Sequence, residues 1–148
     1  SSSTWGTKEQ APGAKYSFRL IRNLRSLFIE RPLWPALAPQ PTSPRQVLVR
    51  AVGPSLAAFG LADALDRPQL TIFRGSNAIA TNEGWGTDPD AIKLLTEMFD
   101  RSGAFRLQEE TSRDAALVLS LSPGVYTMRV KSADGKAGST LLEVYDVP

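Results

Sequence analysis

The stretch AALVLSLSPGVYTMRVKSADGKAGSTLLEVYDV, residues 115–147, decides the fold class. It contains three apolar runs of strand length, separated by Ser-Pro-Gly at 122–124 and by Asp-Gly at 134–135. The alternation of apolar and polar residues over 125–130 is typical of a strand that buries one face. Because the turns between the runs are short, we predict that these three strands form an antiparallel meander.

The same pattern continues upstream. Further strands are predicted at Lys15–Ile21, at Ser26–Glu30, at Gln46–Val52 and in a hairpin of Gln69–Arg74 with Ala78–Thr81. Ser55 is a candidate N-cap for a helical turn over 55–59, and Asp88 or Thr87 for a short α-helix near 89–100. Five prolines in 31–44 predict an extended connection there. Many short strands with one helix indicate a mainly β protein, an antiparallel β-sandwich of jelly-roll or immunoglobulin-like type.

This pattern divides the chain of 148 residues into three parts. Residues 1–14 are interpreted as a flexible N-terminal arm, residues 15–44 as strands plus a Pro-rich extended segment, and residues 45–148 as the β-sandwich domain. Opposite charges follow this division, since residues 1–50 carry a net +6 and residues 51–148 a net −4. Such charges could favour contacts between copies of the chain, but an ordinary solvated surface is the preferred interpretation.

Composition excludes several functions. The chain has no Cys and no His, which removes thiolate catalysis, the Ser-His-Asp triad and most transition-metal sites. No apolar run approaches 18 residues, so no membrane insertion is predicted. The basic residues lack interleaved aromatics, so no nucleic-acid partner is predicted either. A first residue other than Met and the absence of Cys are compatible with an exported protein, and we expect an extracellular or cell-surface location.

Acidic side chains gather around Trp85. Asn82, Glu83, Asp88 and Asp90 offer oxygen ligands for Ca²⁺, although their spacing does not match an EF-hand and the simpler interpretation is loop and helix-cap residues. A pair of carboxylates beside an aromatic also suggests a glycosidase, which we consider less favoured than the cap interpretation. If the chain binds saccharides, Trp85 and Glu83 are the candidate contacts; otherwise Trp85 folds over the edge of the sandwich.

Large apolar residues near the N-terminus are candidates for contacts between subunits. They occur in the arm, in the alternating strand and in the Pro-rich segment, where little other apolar sequence surrounds them. The candidate interface residues are Trp5, Tyr16, Phe18, Leu20, Leu33 and Trp34. A segment of this kind can add as a strand to the exposed edge of a neighbour's sheet.

Four motifs carry a resemblance to a known family: VLVRAVGPSLAAFGL (47–61), LTIFRGSNAIATNEGWG (70–86), LSPGVYTMRV (121–130) and GSTLLEVYDV (138–147). They resemble a β-sandwich repeat module of secreted and cell-surface bacterial proteins, and the last strands are similar to the bacterial pre-peptidase C-terminal sandwich. The resemblance covers roughly residues 45–148 and implies an extracellular sandwich without known catalysis. Residues 22–41 depart from it and are interpreted either as a segment for assembly or as misassigned sequence.

These observations give two functional hypotheses. The favoured one is a non-catalytic extracellular structural protein, a bacterial self-associating subunit of a pilus-like filament or surface layer, joined by N-terminal strand addition. The alternative is a carbohydrate- or surface-binding module for adhesion to cell-surface glycans, Ca²⁺-dependent if the acidic residues bind the ion. Under the first hypothesis, the binding partner is another copy of the chain. No enzyme activity and no cofactor other than Ca²⁺ are predicted.

Overall fold

The computed structural model describes residues 6–11, 14–33, 45–86, 88–107, 113–122 and 124–147. Within these ranges the chain forms strands, a 3₁₀ helix and an α-helix. The strands are β1 Gly6–Ala11, β2 Ala14–Leu24, β3 Ser26–Leu33, β4 Arg45–Val52, β5 Pro68–Arg74, β6 Asn77–Asn82, β7 Ala115–Leu121, β8 Gly124–Ser132 and β9 Gly138–Asp146. The 3₁₀ helix is Pro54–Phe59, and the α-helix α1 is Pro89–Ser102.

The strands form two antiparallel sheets. A five-stranded sheet has the order β1-β2-β9-β4-β7, and a four-stranded sheet has the order β3-β8-β5-β6. Every strand pair within them is antiparallel. The predicted antiparallel β-sandwich with one short helix is therefore confirmed.

The order of the strands corrects the predicted meander. β7 pairs with β4, β8 lies between β3 and β5, and β9 lies between β2 and β4. Consecutive strands therefore cross from one sheet to the other instead of pairing with each other. The short turns that suggested hairpins connect the two layers, since a turn's length does not determine which sheet receives the next strand.

The sandwich also begins upstream of the predicted boundary at residue 45. β2 pairs with β9 in one sheet, and β3 pairs with β8 in the other along its whole length, from Ser26 opposite Lys131 to Leu33 opposite Gly124. Residues 14–33, including the described part of the 22–41 segment, thus belong to the sandwich. Gly6–Ala11, predicted as part of a flexible arm, is a strand paired with β2.

Local sequence signals explain the helices and the hairpin. The β5–β6 hairpin turns at Gly75, whose φ of 62° favours glycine. Helix α1 begins after Asp88, whose side chain accepts a hydrogen bond from the Asp90 amide, and ends at Gly103 in the left-handed conformation. The predicted N-cap at Ser55 is wrong, because Gly53 occupies the cap position and Ser55 lies inside the 3₁₀ helix.

Two apolar clusters lie on the two faces of the five-stranded sheet. The first fills the space between the sheets, where Val49 and Leu142 face Ile72 and Met128. The second lies on the outer face, where α1 and the loops cover it. Its members are Leu48, Val52, Leu56, Trp85, Leu95, Met98, Phe99, Ala104, Leu107, Ala116, Tyr145 and Val147. The five-stranded sheet is therefore buried on both sides.

The outer face of the four-stranded sheet differs. Within the described ranges no third apolar cluster lies on that side, and its side chains include exposed Phe28, Val125 and Lys131. We call the outward-facing residues of this sheet the open face. It comprises Ser26, Phe28, Glu30, Gln69, Thr71, Phe73, Thr81, Val125, Thr127, Arg129 and Lys131.

Candidate functional site

Trp85, the predicted saccharide contact, is a core residue. Its side chain is 4% exposed, and its ring lies 5.4 Å from that of Phe99 on α1 at an angle of 51°. Its backbone amide donates a hydrogen bond to the Asp114 carbonyl at 2.9 Å. Because a stacking platform must present a ring face to the ligand, Trp85 is not such a platform, and the prediction that assigned it this role is wrong.

The side-chain oxygens proposed as Ca²⁺ ligands accept hydrogen bonds from other groups of the chain. Glu83 accepts a hydrogen bond from Arg67 at 2.8 Å, and Asn82 Oδ1 accepts one from the Ala116 amide at 3.1 Å. Asp88 caps α1 by accepting from the amide of Asp90 at 3.2 Å. Throughout the described part of the chain, no three acidic residues come together as a metal site would require.

The predicted interface residues are dispersed. Trp5 and Trp34 lie outside the described residues. In the register of β2 with β9, Tyr16 is opposite Tyr145, Phe18 opposite Glu143 and Leu20 opposite Leu141. Leu33, by contrast, pairs with Gly124 in the other sheet. Phe18 and Leu20 are half-buried.

The N-terminal segment expected to join a neighbouring subunit pairs with its own chain. Gly6 is opposite Phe18 and Ala11 opposite Ala14, with a bulge between Glu9 and Ala11. This pairing occupies the free edge that β2 would otherwise present. The described strands therefore supply no support for a filament built by N-terminal strand addition.

A buried ion pair organises the second cluster. Arg50 of β4 and Glu143 of β9 are opposite each other, and the Arg50 Nε donates to Glu143 Oε1 at 2.8 Å. The Tyr145 hydroxyl donates to Glu143 Oε2 at 2.7 Å, and Arg50 Nη1 donates to the Phe105 carbonyl at 2.6 Å. The Arg50 guanidinium also lies 4.8 Å from the centroid of Phe99. These contacts fasten the segment after α1 to the sheet, because a buried charge must be paired.

Asp114 has a comparable structural role at the start of β7. Its carboxylate accepts hydrogen bonds from the Gly53 and Ser55 amides at 2.8 and 3.1 Å and from the Ser55 hydroxyl at 2.6 Å. It therefore satisfies the amides at the start of the 3₁₀ helix, which the sequence analysis assigned to Ser55. Both buried acids have structural partners within the fold.

The open face has a regular layout set by the strand register. Across its middle row, Phe28 of β3, Arg129 of β8, Thr71 of β5 and Thr81 of β6 are neighbours. One row away lie Glu30, Thr127 and Phe73. On the opposite side lie Ser26, Lys131 and Gln69. Directly opposed residues share a face, so these side chains project together.

Two phenylalanines and an arginine form the centre of the open face. Phe28 is 59% exposed, and its ring lies 6.0 Å from that of Phe73 at an angle of 48°. Their strands flank β8, so the rings approach each other across it. The Arg129 guanidinium lies 5.9 Å from the Phe28 centroid and 5.8 Å from the Phe73 centroid. We call these three residues the Phe–Arg–Phe group.

Polar groups border the Phe–Arg–Phe group. The hydroxyls of Thr71 and Thr81 are 3.1 Å apart, and the Thr81 hydroxyl also donates to the Leu70 carbonyl at 3.2 Å. Lys131 is exposed and Gln69 is half-buried in the next row. An exposed aromatic surface with polar groups at its edge is the composition of many ligand-binding surfaces.

The sequence analysis missed this site, although it contained the signal. In Ser26–Glu30, Leu27 and Ile29 alternate with Phe28, which places Phe28 on the outward face once the other two are buried. In Gln69–Arg74, Phe73 and Thr71 share the face opposite to Leu70 and Ile72. What the sequence could not give is that β8 inserts between these strands and places Arg129 between the two rings.

No protein-family model matches this chain, and no curated protein matches it. Among the described residues, no helix is long and apolar enough to cross a membrane.

Solved structures with a similar course of the chain include carbohydrate-binding modules. A family 35 module from Clostridium thermocellum aligns over 96% of this chain and 98% of its own, with 14% identity and a TM-score of 0.41. The C-terminal CBM6 of LamC from Zobellia galactanivorans aligns over 100% and 91%, with 11% identity and a TM-score of 0.32. The catalytic domain of a GH87 α-1,3-glucanase aligns over 88% and 22%, with 14% identity and a TM-score of 0.36. Likenesses this low carry no weight for ligand or activity.

Proposed function

We propose that this chain is a non-catalytic saccharide-binding module that binds its ligand on the open face. One observation carries the proposal: the Phe28 and Phe73 rings lie side by side on a sheet face that the described elements leave uncovered, with Arg129 between them. The proposal agrees with the alternative hypothesis from the sequence but moves the contacts from Trp85 and Glu83 to β3, β5 and β8.

The physical support is the location of the rings. Ile29 and Met128 point into the core from the inner face of this sheet, and a phenylalanine on a strand can be buried in the same way. Phe28 instead exposes more than half of its side chain, which leaves apolar area in water that burial against a ligand would recover. The C–H-rich face of a pyranose packs on an aromatic ring, while its hydroxyls reach polar neighbours such as Gln69 and Lys131.

The rigidity of the platform supports the same function. All of the residues named are on strands, and β8 and β5 each pair with a strand on both sides. Positions on paired strands lose little freedom when a ligand binds, so more of the interaction energy is available for affinity. We further propose that the module acts outside the cell, in adhesion to glycan surfaces.

A glycan microarray tests the proposal. We expect wild-type protein to bind a subset of spots and Phe28→Ala to lose that binding, because the substitution removes the exposed ring but little buried area. Phe59→Ala is the matched control. Phe59 is 62% exposed, yet it contacts Phe105 on the helix-covered side of the molecule, and its loss should leave the spots unchanged.

Two results would overturn the proposal. Wild-type protein that binds no glycan on the array would remove saccharides as the ligand class. Equal loss of binding in Phe28→Ala and Phe59→Ala would show that the open face is not the binding surface. Size-exclusion chromatography of the same samples tests a further outcome, in which Phe28 instead mediates self-association and its substitution dissociates an oligomer.

A further inference from the structure

We propose that the open face selects acidic saccharides, and that the Arg129 guanidinium binds the carboxylate of a uronate residue whose ring packs on Phe28. This inference rests on the proposed function and adds the chemical class of its ligand. Three features of Arg129 support it: its position between two rings, the lack of an acidic partner among the described residues, and the charges around it.

The two rings hold the guanidinium in place. Arg129 is on β8, one of the two inner strands of the four-stranded sheet, and its guanidinium lies within 6 Å of both ring centroids. Stacking against aromatic faces restrains a guanidinium and leaves its N–H edge available for hydrogen bonds. A planar carboxylate can accept two parallel N–H bonds from such an edge, a contact that an ammonium group cannot reproduce.

Among the described residues, three other arginines have an acidic partner of a kind that Arg129 lacks. Arg50 pairs with Glu143, Arg67 with Glu83 and Arg106 with Asp100. Among the described residues Arg129 belongs to no ion pair, and its buried Nε has no hydrogen-bond acceptor. The fold encloses this Nε, so an incoming anion would bind the terminal Nη groups, whose charge no acid among the described residues neutralises.

The neighbouring charges favour an anion and orient it. Lys131 lies on the same face two residues along β8, whereas Glu30, the acid of the open face, is opposite Thr127 on the other side of Arg129. A carboxylate bound at Arg129 is therefore attracted toward Lys131 and repelled from Glu30. The acidic group of the ligand should point toward the row of Ser26, Lys131 and Gln69.

Affinity electrophoresis in native gels tests this inference. The gels contain polygalacturonate, alginate or hyaluronate, each compared with its methyl ester, which keeps the sugar chain and removes the charge. We expect at least one acidic polymer to retard the wild-type protein and its ester to retard it at least tenfold less. Arg129→Gln should lose at least tenfold in affinity for the acidic polymer, and Arg129→Lys should recover only part of it.

Lys93→Gln is the matched control, since Lys93 is exposed on α1 on the other side of the molecule and its substitution changes the net charge equally. Equal loss in Lys93→Gln and Arg129→Gln would overturn the inference, because net charge alone would then explain retardation. Equal binding of acid and ester would also overturn it but leave saccharide binding intact. Equal retardation by single-stranded DNA would identify a general polyanion surface, and binding of no saccharide here or on the array would overturn both proposals.

Discussion

Arg50 and Arg129 show two uses of the same side chain at the scale of single residues. Both lie near aromatic rings, but Arg50 is fully buried and paired with Glu143, while Arg129 lies on the open face and forms no ion pair with any described residue. A buried pair stabilises a fold only when both members are present, because either one alone is a desolvated charge. We therefore expect the two arginines to respond differently to substitution.

Glu143→Ala should lower the free energy of unfolding by about 3–5 kcal/mol, because it leaves Arg50 buried without its acid. The double variant Arg50→Met/Glu143→Leu should lose less than either Glu143→Ala or Arg50→Ala, since it removes both charges and keeps most of the volume. Urea denaturation of the four proteins measures this. A double variant that loses the sum of the two single losses would show that the pair is not coupled.

At this scale the sequence indicates which residues are unusual but not where they face. Trp85 is conspicuous in the sequence and is a core residue, whereas Phe28 is inconspicuous and is the most informative aromatic side chain on the surface. Arg50 lies in the apolar strand 46–52 with no local sign that it is buried. Its partner Glu143 is 93 positions away, and only the pairing of β4 with β9 brings them together.

At the scale of elements, the connection 61–67 depends on two glycines. It crosses the ends of β4 and β9, where the Leu65 amide donates to the Ser139 carbonyl and the Ser139 amide donates to the Asp63 carbonyl, both at 2.8 Å. A Cβ at Gly138 would lie 2.8 Å from the Asp63 carbonyl oxygen, and one at Gly53 would overlap the Leu65 carbonyl oxygen. The backbones approach this closely because neither position has a side chain.

Gly53→Ala should therefore destabilise the protein by about 1–3 kcal/mol, since the main chain must move to admit the methyl group. Gly124→Ala is the control, because among the described residues its added Cβ would meet only the Tyr126 ring at 3.8 Å, an ordinary contact. Thermal unfolding of the two variants gives the comparison. Equal midpoints for both would contradict the close approach at Gly53.

The turn between β8 and β9 should give stability that depends on pH. The Lys136 amide donates to Asp134 Oδ1 at 3.0 Å and the Ser132 hydroxyl at 2.8 Å, and these bonds lower the pKa of Asp134 below its usual value. A lowered native pKa stabilises the fold above the unfolded pKa of about 3.9, and the effect disappears as pH falls through the native value.

Asp134→Asn should therefore be less stable than wild type at pH 6, and the difference should shrink as the pH is lowered from about 4 toward 2. Thermal melts across this range, recorded for both proteins, measure the difference. A constant difference at all pH values would contradict a contribution from the charged form.

Elements with local signals were predicted better than pairings between distant elements. The β5–β6 hairpin and helix α1 were predicted because Gly75, Pro89 and the cap at Asp88 act within a few residues. The meander was wrong because 115–147 contains no information on which of its three runs share a sheet or which strands from 14–74 pair with them. The position of each strand in a sheet depends on contacts between distant parts of the chain, because both faces of the five-stranded sheet are buried.

At the scale of the whole molecule, the sandwich is covered unequally. The five-stranded sheet has the four-stranded sheet on one side and α1 with the loops on the other. The four-stranded sheet, as far as the chain is described, has a partner only on its inner side. This asymmetry separates a side that stabilises the fold, with Arg50 and Asp114, from the open face with Phe28 and Arg129, where we propose that the ligand binds.

The measurement that tests this account most directly is a titration of ¹⁵N-labelled protein with the oligosaccharide that gives the strongest array signal, followed by backbone amide shifts. The account predicts that shifts concentrate on 26–30, 69–73 and 125–131, and that Arg129→Gln weakens them at least tenfold when the sugar is acidic. Shifts confined to α1, to the 3₁₀ helix or to the loop around Trp85 would contradict the central claim that the open face is the binding surface.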